Sequence, residues 1–302
     1  MYYKDYDQLN INEDSKIVIA IGDSFAEGQG AVSDKIWGKV NWHPHEYSHH
    51  LKKFLLLERE NSFVSQLCTK LMPGWTPVNF GKRGNGNRSA VKQLHLHSQT
   101  NIKKAKEKIV IFMLSGYERF DFVNKELPEN FSFFAMWPNP ADPTCSHPKL
   151  WEIYAKELYS EKFAALEALM NILEAQTWCQ AHNAKFVLCS AFTTQIEKEY
   201  FQKILADTQY LPMIEDVLWD NFMTFGNYKT AGQYLAKLDT GNDDYTHEQM
   251  FYGYAYSHKK GTPGGMFTPC AHPSIQGNYE LAKVIYNFLG SKNFIDTKDF
   301  IL

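Results

Sequence analysis

A serine, a histidine and a cluster of glycines and arginines are the residues here whose types and spacing suit acyl-transfer chemistry. Gly22-Asp23-Ser24-Phe25 directly follows a short apolar run, Lys16 to Ile21. A serine on a tight turn after a buried strand is presented at the mouth of a sheet, where backbone N–H groups can meet a developing oxyanion. Serine is a weak nucleophile and needs a base within hydrogen-bond reach. His272, held by Pro273 in Cys270-Ala271-His272-Pro273-Ser274, is such a base far downstream. Each feature also has a plainer reading: Asp-Ser as a helix cap, and His272 as a capping or loop histidine.

The elements that must carry these residues read as alternating strands and helices. Lys16–Ile21, Lys108–Leu114 and Ala184–Cys189 are continuous apolar runs ending at Gly or Ser, with a weaker run at Thr76–Phe80. Continuous rather than alternating hydrophobicity marks strands buried on both faces, hence a parallel sheet. Helical spacing appears over Asn61–Leu71, Asn87–Lys106, Trp151–Ala181 and Asn278–Leu289. The pattern predicts a three-layer α/β/α, flavodoxin-like fold with a mainly parallel central sheet. Two long segments interrupt the alternation, at about 120–150 and 197–269, and are expected to be insertions at the carboxyl ends of strands, where open α/β sheets bind ligands. One domain over 1–302 is expected, since no repeat or linker divides the chain.

Composition excludes several classes. Of the 302 residues 44% are hydrophobic and 15% aromatic, so disorder is excluded as the dominant state. The 31 Lys and Arg are balanced by 34 Asp and Glu, which argues against a nucleic-acid partner. No apolar run is long enough for a membrane span, and Met1-Tyr2-Tyr3-Lys4-Asp5 does not open a secretory signal. The five cysteines, Cys68, Cys145, Cys179, Cys189 and Cys270, are expected to be reduced thiols in a cytoplasm. Gly28-Gln29-Gly30 comes too late after the first strand, and lacks the third glycine, for a dinucleotide-binding turn. No cofactor is implied.

Gly-Asp-Ser after the first strand and His-Pro before the last helix together resemble the GDSL-type serine hydrolases, the SGNH family. The resemblance spans residue 16 to about residue 289 and rests on short blocks. It implies Ser24 as nucleophile, His272 as general base, and the backbone N–H of Ser24 as one oxyanion donor. The second block, Asn79-Phe80-Gly81-Lys82-Arg83-Gly84-Asn85, has the family's Asn-to-Gly spacing and puts Gly84 in the oxyanion role. The sequence departs in the third block. Where the family has Gly-x-Asn-Asp, this chain has Ser115-Gly116-Tyr117-Glu118-Arg119, which puts Tyr117, or on sliding by one Glu118, at the oxyanion Asn. It departs again before His272, where Pro269 replaces the orienting Asp; a backbone carbonyl, Asp243 or Asp244 could serve instead.

The chain has only four arginines: Arg59, Arg83, Arg88 and Arg119. Three lie in or beside these blocks. Arginine's planar fork suits a carboxylate or a phosphate. Arg119, with Arg83, is therefore a candidate to meet an anionic or sugar-acid substrate, and Asp23, Asn85 and Glu118 are further substrate-binding candidates; alternatively Arg119 pairs with Glu118 or Asp23 to hold the site. The histidines at 43, 45, 49 and 50 lack a matching Cys or carboxylate, and no metal is expected. Aromatic residues crowd the insertions, among them Trp137, Trp151, Tyr252 and Tyr254, and suit either a sugar face or a protein interface.

Two functions follow. The resemblance implies an esterase acting on a small acyl ester, such as acetyl, on carbohydrate. The altered blocks favour instead a catalytically impaired binding or structural module with a protein assembly partner or a second copy. Divergent members of this kind resemble those carried by tailed bacteriophages, where a virion location would replace the cytoplasmic one.

Overall fold

Three of the apolar runs form the centre of one sheet, and their side chains divide between its two faces. The protein is described in a computed structural model over residues 10–33, 54–97, 100–117, 119–123, 133–136, 148–192, 196–241, 265–268 and 272–296. Strands β1 (Lys16–Gly22), β2 (Trp75–Asn79), β3 (Glu107–Leu114) and β6 (Lys185–Ser190) lie in the order β2-β1-β3-β6, all parallel. Strands β4 (Phe120–Val123) and β5 (Phe133–Met136) form a separate antiparallel pair.

On β1, Val18 and Ala20 enter one core while Ile17, Ile19 and Ile21 enter the other. On β3, Ile109, Ile111 and Met113 face the first and Val110, Phe112 and Leu114 the second. This two-residue period with both faces apolar is what makes the runs continuous in sequence. Helix α2 (Phe63–Gln66, running on as a π-turn over Leu67–Leu71), α7 (Ala231–Thr240) and α8 (Ile275–Ser291) cover the first face. Helices α3 (Asn87–His97), α5 (Glu161–Ala181) and α6 (Lys198–Ile204) cover the second. The result is the expected α/β/α sandwich in a flavodoxin-like strand order.

Several boundaries differ from the sequence reading: the helix expected over Asn87–Lys106 ends at His97, with a separate 3₁₀ turn over Asn101–Lys104, and the last helix opens at Ile275 rather than Asn278. The helix expected over Trp151–Ala181 is broken: α4 (Pro148–Ile153) continues as a π-turn over Tyr154–Leu158, and Tyr159 is extended. Ser160 then caps α5 by accepting the Phe163 N–H at 3.4 Å. The serine hydroxyl replaces an intrahelical partner at the new start.

The segment after 197 is not a bare excursion over its described part. It carries α6, two 3₁₀ turns and α7, and it meets the edge of β6 by parallel bridges, Leu188 to Phe222 and Ser190 to Thr230. These bridges occupy the position of a fifth strand, and α7 follows them as its helix. Among the described residues no helix is long and apolar enough to cross a membrane.

Candidate active site

The loops after β1, β2 and β3 meet at the carboxyl edge of the sheet. Gly22 ends β1 at φ +149°, and a Cβ there would lie 2.4 Å from the Met113 carbonyl oxygen of β3. Only glycine lets the chain turn so close to its neighbouring strand. The turn opens helix α1 (Ser24–Glu27), where the Asp23 carboxylate accepts the Phe25 N–H at 3.0 Å. The helix-cap reading of Asp-Ser therefore holds for Asp23, while Ser24 faces the histidine.

Ser24 Oγ lies 2.7 Å from His272 Nε2 across 248 residues of sequence, and both residues are buried. That is the contact a nucleophile and its general base require. His272 is fixed from its backbone: its carbonyl accepts from the Thr268 N–H at 2.8 Å and the Thr268 hydroxyl at 3.0 Å. Phe267 bridges Pro273 in an antiparallel turn, and Ser274 then caps α8 through the Gly277 N–H. The imidazole packs on Phe25 with ring centres 5.7 Å apart, and Phe25 leans on Phe192. Pro269, Asp243 and Asp244 lie outside the described residues.

The second block is bolted to α1. Asn79 Nδ2 donates to the Ala26 carbonyl at 2.9 Å and Oδ1 accepts the Gly81 N–H at 2.9 Å. Glu27, 1% exposed, accepts the Arg83 N–H at 3.0 Å and Arg83 Nε at 2.7 Å. Arg83 Nη2 reaches Glu58, also 1% exposed, at 2.6 Å, and Arg59 stands 3.7 Å from Glu27. Arg83 was a candidate for substrate; the structure turns its fork inward, onto two carboxylates buried with it. Gly84 sits at φ +74° with open space around it, as a backbone donor to substrate would need.

Arg119 takes the pairing alternative. Its Nη1 lies 3.3 Å from Asp23 and 3.4 Å from the Asn85 carbonyl, and its guanidinium stacks 5.0 Å over Phe192. Burial pushes the Asp23 carboxyl above its ordinary value, a shift that Arg119 and the Phe25 N–H oppose. Tyr117 turns to the second core face: its ring lies 5.6 Å from Tyr200, the two hydroxyls interact, and Tyr200 in turn donates to Glu161 at 3.0 Å. The phenol is thus engaged away from the imidazole's packing against Phe25. Arg88 is exposed and lines a cleft with Tyr117, Tyr154, Phe163 and Asn171. Glu118 and the histidines at 43–50 lie outside the described residues, as do Tyr252 and Tyr254. Among the described residues no group of three His, Cys, Asp or Glu could hold a metal ion.

Sequence reasoning missed four positioning residues. Asp121, buried on β4, accepts the Gly86 and Ser89 N–H groups at 2.8 Å each and so caps α3 from a distant strand. Asn87 holds the third block through the Ser115 N–H at 2.8 Å. Asn278 joins α8 to α2 by accepting the Phe63 N–H at 2.9 Å. Glu58 closes the charge network. The only sequence signal was a polar residue within an apolar or helical stretch.

Fold and site together define an α/β protein with a buried serine–histidine pair at the carboxyl edge of a parallel sheet. Several solved structures resemble the chain at low identity. The structure titled TesA is 13% identical, with TM-score 0.39, covering 93% of this chain and 100% of that one. A member of the lipolytic G-D-S-L family from Veillonella parvula is 9% identical, with TM-score 0.38, covering 90% and 97%. An acetylxylan esterase from Geobacillus stearothermophilus is 14% identical, with TM-score 0.40, covering 93% and 97%. No protein-family model matches the chain, and no curated protein sequence matches it. Identities and TM-scores of this size carry no chemistry across; that rests on the side chains.

Proposed function

We propose that the protein is a serine esterase acting on a small acyl ester, with acetyl on a carbohydrate as the favoured substrate. The observation that carries this reading is the 2.7 Å contact between Ser24 Oγ and His272 Nε2. In the proposed reaction His272 takes the Ser24 proton as Oγ bonds to the acyl carbon, and the carbonyl electron pair moves onto oxygen. The backbone N–H groups of Ser24 and Gly84 receive that oxyanion. The protonated imidazole then gives its proton to the leaving alcohol. Water, deprotonated by the same ring, releases the acyl group and restores Ser24. Arg119 and Asp23 act by holding the nucleophile turn against the second block.

Hydrolysis of p-nitrophenyl acetate tests this. The wild type is expected to turn over, while Ser24→Ala and His272→Ala fall to the uncatalysed background. Equal rates in all three would overturn the esterase. One observation favours the second reading, a binding or virion module: Tyr117 stands where the family's third-block Asn is expected and is engaged by Tyr200. That reading predicts a folded wild type with no Ser24-dependent turnover.

A further inference from the structure

Placing Tyr117 against Tyr200 takes from the site the side-chain donor that the family draws from its third block. Asn85, the residue after Gly84, has what that vacancy needs. It is 1% exposed, and among the described residues neither its Oδ1 nor its Nδ2 meets a hydrogen-bond partner. An unpaired buried polar group costs about 1–3 kcal/mol. Nearby asparagines avoid that cost: Asn79 and Asn278 each use both ends of their amides, and Asn87 binds the Ser115 backbone.

The backbone of Asn85 is meanwhile fixed on both sides. Its N–H donates to the Lys82 carbonyl at 3.2 Å, and its carbonyl accepts Arg119 Nη1 at 3.4 Å. The same Arg119 nitrogen holds Asp23, the residue before the nucleophile. A single guanidinium therefore ties the turn bearing Asn85 to the turn bearing Ser24. The chain supplies a buried, unspent amide one residue from a proposed oxyanion donor.

We propose that Asn85 Nδ2 is the third oxyanion donor, moved from the third block to the second. This rests on the esterase reading above. As the Ser24 Oγ–carbon bond forms and the carbonyl electron pair becomes the oxyanion, Asn85 Nδ2–H donates to that oxygen without itself changing covalently. Arg119 is a positioning residue for it, acting through the Asn85 carbonyl.

The test uses the full chain with p-nitrophenyl acetate as probe. Asn85→Ala should lower kcat about 10²–10³-fold and change KM by less than about threefold, because the bond is made only in the transition state. Asn85→Asp should fall further, since a carboxylate repels the oxyanion. Asn85→Leu, similar in volume, should melt at or above the wild-type temperature, because an unpaired buried amide is replaced by an apolar group. A structural amide would do the reverse, so a lower melting temperature in both Asn85→Leu and Asn85→Ala overturns the proposal. So does a kcat for Asn85→Ala within about threefold of wild type. In that case Ser24-dependent turnover persists and the esterase reading stands. A wild type lacking Ser24-dependent turnover overturns both.

Discussion

Arg83→Met is the substitution that most sharply separates a structural arginine from a substrate-binding one. Arg83 makes contacts of 2.7 Å to Glu27 and 2.6 Å to Glu58, whose side chains are 2% and 1% exposed. Methionine keeps much of the stem's packing and removes the charge. Both buried carboxylates would then lose their closest cation, leaving Glu27 with Arg59 at 3.7 Å and Glu58 with the Gly30 N–H at 2.8 Å. Removing one partner of a buried ion pair costs about 3–5 kcal/mol, because the remaining charge is stranded without water. For 302 residues, an unfolding entropy of about 2.1 cal/mol/K per residue converts this to a drop of about 5–8 °C in Tm.

Differential scanning fluorimetry reads the loss directly. Activity should fall as well, because the Arg83 Nε and Nη2 contacts to Glu27 and Glu58 anchor the turn that carries Gly84 and Asn85. A variant as stable as wild type, with only KM raised, would refute this account and restore Arg83 as a substrate contact.

Three further outcomes follow from buried groups outside the serine–histidine pair. Asp121→Ala leaves the Gly86 and Ser89 N–H groups without their cap and should cost about 2 kcal/mol by urea unfolding. Burial raises the Asp121 carboxyl above its ordinary 3.8, so the folded state holds that proton more tightly than the unfolded chain. Its stabilising contribution is full below the unfolded value and lost as pH rises through the folded one. Asp121→Asn should therefore lose less stability than wild type as pH rises from about 4 to about 7. Burial also pushes the Cys68, Cys179 and Cys189 thiols far up. Iodoacetamide should leave these three unlabelled in the native protein and label them in urea, read by peptide mass spectrometry.

What was legible in the sequence was what depends on local pattern. Strands β1, β3 and β6 were visible because two-sided burial writes an unbroken apolar run. Ser24 was visible because it follows Gly22 at the end of β1, and His272 because Pro273 stands beside it just before the last helix. The break at Ser160 was not, because Tyr154, Leu158 and Leu166 keep helical spacing across it. The fifth sheet position at Phe222 and Thr230 is made by isolated bridges, which leave no run to detect. The charge network escaped for a different reason. Glu27, Glu58 and Arg83 are 25 to 56 residues apart, and nothing in their neighbours records that they meet. The shortage of arginine was a useful signal with an incomplete meaning. Arg83 and Arg119 do gather at the site's edge, but their charges are turned inward, on Glu27, Glu58 and Asp23.

The most direct test of the central claim is mass spectrometry of the purified protein after treatment with a fluorophosphonate, which bonds covalently to a serine only when a base activates it. The account predicts one adduct, on the peptide carrying Ser24, lost in Ser24→Ala and strongly slowed in His272→Ala. A folded wild type that gains no mass between about pH 6 and pH 9 would contradict a working Ser24–His272 pair.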